Sequence, residues 1–386
     1  MHELLQPFVR FFVSLRLTVV LLVLSILLVF LATLDQVHLG VWGIQHKWFF
    51  AFIVVQPVNG FPVPIFPGGY FIGGMLLINL VAAHIYRFKF KWKKLGIWLA
   101  HIGVILLLGS QFFTGLQQRE SQVQFNVGET KRYSEDFLLD ELAVIDATDP
   151  KFDDVVAIPE SLLARDEPIQ HPKLPFRIVT RQYFPNSSVQ MRTQAPNAPP
   201  SPATMDIGTQ LAVTPQPLTY KPDEHNIPAA FVELIGPEGS LGIWLVSPWI
   251  DQTQAFDYAG RTWQLVMRSK RYYTPYSLSL LQVKNDVYPG TDIPKNFSSQ
   301  VRIHDDAGKG ERDVLIYMNN PLRYGGLTYY QYQMNKASGL SVLQVVRNPS
   351  WRMPYIACLL VALGLVIQFG QHLAGFVRKR TAQIKA

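Results

Sequence analysis

His84 and His101 are the residues of this 386-residue chain whose type and position best suit chemistry. Each lies in a long run without charge, and an ionisable side chain in hydrocarbon is costly enough to mark function by default. His101 follows Lys94 by seven residues, which at about 1.5 Å per helical residue places it about 10 Å into a bilayer. Its i−4 and i+4 neighbours are Ile97 and Ile105, with Trp98 and Leu108 on adjoining turns, so nothing local offers a hydrogen bond. Gly103 and Gly109 leave room for another helix or a flat ligand. A neutral imidazole there suits haem iron. It suits equally well a hydrogen bond to a neighbouring helix, and both readings stand. His84 is three residues before Arg87, within roughly 5 Å of the surface, and reads first as an interfacial side chain reaching headgroups or water. His372 reads the same way. The two depths differ by about 6 Å, which counts against His84 and His101 flanking one haem, although helix tilt absorbs part of the mismatch. A second axial ligand is therefore expected from a partner.

Other chemistry is excluded or weak. The single cysteine, Cys358, rules out an intramolecular disulfide, a Cys-x-x-Cys pair and a cysteine zinc site. No phosphate-cradling glycine loop, H-E-x-x-H or serine nucleophile elbow occurs. Asp153/Asp154 and Asp305/Asp306 sit in turn-like contexts as solvated pairs. His171, His225 and His304 lack metal-ligand spacing and read as structural, while His38 and His46 are weak candidates at an interface.

The elements that position the two histidines are membrane spans. About 20 apolar residues in helical form cross a hydrocarbon core. Four uncharged runs qualify: residues 17–34, 69–86, 95–116 and 353–376. A cleaved signal peptide is a poor reading of the first run, which is too long and is followed by further spans. Lysine and arginine gather in three segments: Arg10 and Arg16; Arg87, Lys89, Lys91, Lys93 and Lys94; and Arg378, Lys379, Arg380 and Lys385. Four spans put all three on one side, which the positive-inside rule makes the cytoplasm. The formal charge of +7 is thus a topology signal and not a nucleic-acid footprint. Residues 1–16 form a cytoplasmic or interfacial segment, 35–68 an aromatic, Pro- and Gly-interrupted outer interfacial loop, and 377–386 a basic cytoplasmic tail.

Residues 117–350 change character. Runs such as "QVQFNV", "FRIVTRQYF", "AAFVELIG", "TWQLVMRS" and "LTYYQYQM" alternate or are β-branched, with Gly, Pro, Asn and Asp between them. They predict a large, mostly β extracytoplasmic domain, a sandwich or open barrel. Ala195–Ala203, "APNAPPSPA", reads as a flexible excursion.

Several stretches resemble the ResB/CcsB family of cytochrome c biogenesis proteins, the System II maturation pathway. They are the opening "FFVSLRLTVVLLVLSILLVFLATL", "VPIFPGG", "WLAHIGVILLLGS", "VLIYMNNPLRYGGLTYYQYQM" and the closing "LSVLQVVRNPSWRMPYIACLLVALGLVIQF". About 143–216 resembles no family stretch. The resemblance implies a haem-handling membrane subunit of a cytochrome c synthase, non-catalytic by itself, in a bacterial cytoplasmic membrane. It would work with a CcsA-type membrane protein, help move haem b across the membrane and present it to apocytochrome c. The family's transmembrane haem ligand falls on His101, with His84 as a further candidate, and Arg87 and Lys94 are placed to meet propionates or lipid phosphates. Two other functions compete: a haem b electron-transfer anchor, which needs two histidines at matched depth, and a membrane scaffold or sensor whose outer domain binds a ligand or protein.

Overall fold

The computed structural model describes every residue except 1, 59, 87–90, 166, 196–197, 220–223, 292–293, 306–309, 336 and 386. Arg87, Lys89, Asp306 and part of the Ala195–Ala203 excursion lie outside the described residues. The chain divides into two units, residues 1–119 with 347–386 and residues 120–219 with 223–346.

The first unit is helical: α1 (His2–Phe12), α2 (Leu15–Ile44), α3 (Gly69–Tyr86), α4 (Leu95–Gln117) and α5 (Met353–Lys385). Among the described residues, four helical stretches are long and apolar enough to cross a membrane, Leu15–Phe49, Gly69–Tyr86, Trp92–Gln117 and Met353–Ile384. Two of them outrun the apolar runs. α2 continues past Asp35 because that carboxylate is satisfied from further along the chain, accepting from Lys47 Nζ at 2.7 Å and Trp48 Nε1 at 2.8 Å. The helix breaks at Gly40, whose φ of +66° suits glycine. A π-helical turn, Gln45–Phe49, follows, and then the hairpin β1 (Ile53–Val58) and β2 (Phe61–Pro67). α5 carries its helix through Arg378–Arg380 to Lys385.

Polar and small residues fix the bundle. Asn79 on α3 is buried at 3% exposure. Its amide donates to the Phe12 carbonyl at 2.6 Å and the Ser14 carbonyl at 3.2 Å, and its oxygen accepts from the Thr18 hydroxyl at 2.6 Å. One side chain thus satisfies backbone groups at the α1–α2 break and holds α2 against α3. α4 and α5 approach through glycines. A Cβ on Gly364 would stand 2.5 Å from Ala100 N, and one on Gly103 would stand 2.7 Å from the Ala357 carbonyl oxygen. This is the close small-residue packing expected where lipid supplies no hydrophobic drive.

The second unit is mostly antiparallel β. Its strands are β3 (Arg119–Asn126, its first residue in the helical unit), β4 (Thr130–Asp146), β5 (Asp154–Pro159), β6 (Arg177–Phe184), β7 (Ser187–Met191), β8 (Leu211–Pro215), β9 (Ala229–Gly236), β10 (Gly239–Val246), β11 (Gln254–Tyr258), β12 (Arg261–Val287), β13 (Pro294–Asp305), β14 (Gly310–Tyr317), β15 (Leu322–Tyr324), β16 (Leu327–Asn335) and β17 (Leu340–Arg347). The main sheet runs β14-β13-β12-β4-β3-β17-β16-β15, with β5 on β4 and β11 on β12. The long strand β12 serves two cores, and β4 joins it in the first. One, with Leu142, Val144, Trp263 and Leu265, is completed by Ile178, Val232, Leu234 and Trp244 of the β10-β9-β6 sheet. The other gathers Phe125, Leu278, Leu280, Val301, Ile303, Tyr329 and Leu343.

The "NNPLRYGGLTYYQ" stretch builds this second core. Gly325 and Gly326, both at positive φ, make the β15–β16 turn, and a Cβ on Gly325 would meet the Tyr276 ring at 2.5 Å. The Tyr276 hydroxyl bonds the Tyr329 hydroxyl at 2.7 Å and donates to the Tyr324 carbonyl. The Ala195–Ala203 stretch is also tied down at its end: Ala203 is buried, and the Ser201 hydroxyl donates to the Gly208 carbonyl at 2.9 Å.

Candidate functional site

α3 ends and α4 begins at a cluster of three rings. Trp98 and His101 are three residues apart on α4 and so share a face. His84, on the last turns of α3, meets both. Its ring centroid lies 5.1 Å from that of Trp98 and 4.8 Å from that of His101, each edge to face. His84 is 7% exposed. The interfacial reading of its sequence position, in which it reaches headgroups or water, is therefore corrected: the side chain turns into the bundle. The 6 Å depth difference does not separate the rings, because imidazole side chains and helix geometry span it.

His84 Nδ1–H donates to the Leu80 carbonyl at 2.8 Å. That bond sets the neutral tautomer, leaving the lone pair on Nε2, as second-sphere bonds do for histidine ligands. His101 is half-buried on α4. Gly103 is occupied by α5, whereas a Cβ on Gly109 would meet nothing within 4 Å. Of the two glycines offering room beside His101, the nearer is used for helix packing and the farther is open.

Two imidazoles and an indole in an apolar setting can bind a metal or a flat aromatic ligand, or can hold two helices together. Two axial imidazoles, each with nitrogen about 2 Å from one metal, keep their centroids about 6 Å apart. At 4.8 Å, edge to face, the rings as placed do not flank a single iron.

The remaining histidines are elsewhere. His38, His46, His171 and His372 are exposed, and His372 Nε2 accepts from the Gln368 amide at 2.7 Å. His304 Nδ1–H donates to Glu311 at 2.9 Å, and its Nε2 bonds Ser279 at 2.8 Å. Among the described residues no group of three His, Cys, Asp or Glu could hold a metal ion.

Two polar features escape a reading by spacing. Asn79, five residues before His84, looks like any amide in an apolar run until its partners are known. In the β unit, Asp140 (1% exposed) stands 3.4 Å from His225 Nε2. Burial, then the nearby Asp140 charge, pushes the Glu160 carboxyl up to about 7. Asp140 raises His225 above its ordinary value. These residues are widely separated in sequence, so no local pattern announces them.

The helices and the β unit define a membrane protein carrying a large β unit between its third and fourth spans. A model of the ResB-like family matches residues 81–341, more than half of the chain and including both His84 and His101. The chain belongs to the ResB-like family. It is also similar to Protein NrfI of Wolinella succinogenes, with 32% identity over 92 residues, which cover 24% of this chain and 10% of NrfI. The match thus spans about a tenth of that relative's length.

Proposed function

We propose that this protein is the haem-handling subunit of a System II cytochrome c synthase in a bacterial cytoplasmic membrane. In this reading it is not a catalyst by itself. It takes haem b as cargo within its helices, and a CcsA-type partner then presents that haem to apocytochrome c. The observation that carries the reading is the His84–His101–Trp98 cluster within transmembrane helices of a ResB-like chain.

His101 is the residue assigned to iron. His84, with its tautomer set by Leu80, and Trp98 hold the His101 ring in position and offer aromatic surface to the macrocycle. The contact distance between the rings supports a second axial ligand from the partner. Lys91, Lys93 and Lys94, exposed before α4, supply positive charge for propionates. The same ring contact favours a second reading, in which the pair is a polar clamp between α3 and α4.

Expression with an apocytochrome in a host without its own maturation systems tests the division of labour. No covalent haem should form until a CcsA-type protein is added. Holocytochrome made by this chain alone would overturn the subunit assignment.

A further inference from the structure

β4 and β12 pair in register on both sides of one interruption. Arg271 stands opposite Glu135 and Arg268 opposite Glu141, and both pairs are ion-paired, at 3.0 and 3.1 Å. Between them Asp136, Phe137, Leu138 and Leu139 of β4 are set against Lys270 alone. The excess is not slack chain. Asp136 is buried, one oxygen accepts the Leu138 and Leu139 N–H groups at 2.9 and 3.1 Å, and the other accepts the Tyr272 hydroxyl at 2.8 Å. This aspartate turn, locked between two cross-strand ion pairs, turns the polar group inward and three consecutive apolar side chains outward. Phe137, Leu138 and Leu139 are 38%, 36% and 43% exposed. A rigidly built apolar projection of this kind marks an interaction surface.

The strand register indicates what covers it. Glu135 pairs with Gln122 of antiparallel β3, so beyond Glu135 strand β4 runs back toward Arg119, where β3 begins. Gln122 is about 10 Å along the strand from Arg119, and only Gln118 separates Arg119 from α4. The end of α4 exposes Phe112, Phe113 and Leu116, the apolar terminus of a spanning helix. β17, next to β3 in the sheet, leads into α5 after residues 348–352. The projection is therefore at the end of the sheet by which its strands connect along the chain to α4 and α5, the helices read as spanning. Lys270 faces the bulge across the strand pair and Tyr273 is exposed nearby, a cation and an aromatic side chain of the kinds that settle at headgroup level.

We propose that Phe137, Leu138 and Leu139 insert into the interfacial region of the lipid bilayer and seat the β unit on the membrane surface. The proposal is independent of the haem reading. It is tested on the full chain in phosphatidylcholine–phosphatidylglycerol nanodiscs, with Cys358→Ser as background and a nitroxide at Leu138→Cys, or at Leu139→Cys should the first variant misfold. Collision rates with oxygen, which partitions into lipid, and with a water-soluble nickel chelate are then compared. The oxygen-to-nickel ratio should be several-fold higher than at Phe152→Cys, a site 74% exposed in the β4–β5 connection. Adding Asp136→Ala should bring the ratio down toward that of the Phe152 site. A ratio equal to that of the Phe152 site would overturn the proposal, as would protection from both reagents, which would mean that protein covers the bulge.

Discussion

His84 turns into the bundle: its Nδ1–H goes to its own helix at Leu80 and its ring packs on Trp98 and His101. Sequence position gave His101 and Trp98 their shared face but misjudged His84. Depth counted along one helix takes no account of where a ring turns once the next helix is antiparallel to it. In the β unit the Glu160 and His225 shifts carry a prediction. Burial raises Glu160 from about 4.5 to about 7, so the folded state keeps a proton that the unfolded state gives up. Stability from this site is full below about 4.5 and is lost as pH rises to about 7. His225, raised by Asp140, acts in the same direction at higher pH. Glu160→Gln should flatten the decline between pH 5 and 8 and raise the unfolding midpoint at pH 8 by about 2–4 °C. An unchanged pH profile by calorimetry would show that Glu160 titrates normally.

Among the elements, α3 and α4 were legible almost to the residue, because their apolar runs end where charged residues begin in the sequence. α2 was not, since Asp35 reads as a stop in sequence yet is bonded by Lys47 and Trp48. The α4–α5 seam was half legible: glycines near His101 promised a close approach, but not which of them a helix would take. Gly364→Leu places a side chain where backbone already stands and should cost about 1–3 kcal/mol or more through overpacking. Gly109→Ala, with nothing within 4 Å, should be neutral or stabilising by about 0.5–1 kcal/mol. Thermal unfolding in detergent distinguishes them, and equal effects would contradict the glycine seam.

At the scale of the whole molecule, the division into apolar helices and a β-rich stretch follows from the clustering of charge. The two cores sharing β12 do not, because alternation reveals strands but not which partners a long strand changes along its length. Reporter fusions at Gln117 and near the C-terminus should report opposite sides of the membrane, the latter cytoplasmic, and same-side signals would reject the orientation. The central claim is that His101 binds haem iron, and the most direct measurement is haem per protein in the complex with a CcsA-type partner, at matched membrane levels. His101→Ala and His101→Gln should both lose most of the haem, free imidazole should restore it to the Ala variant, and His84→Ala should lose less. Normal haem in His101→Ala, or full recovery in His101→Gln, would contradict ligation and leave the pair as a clamp between two helices.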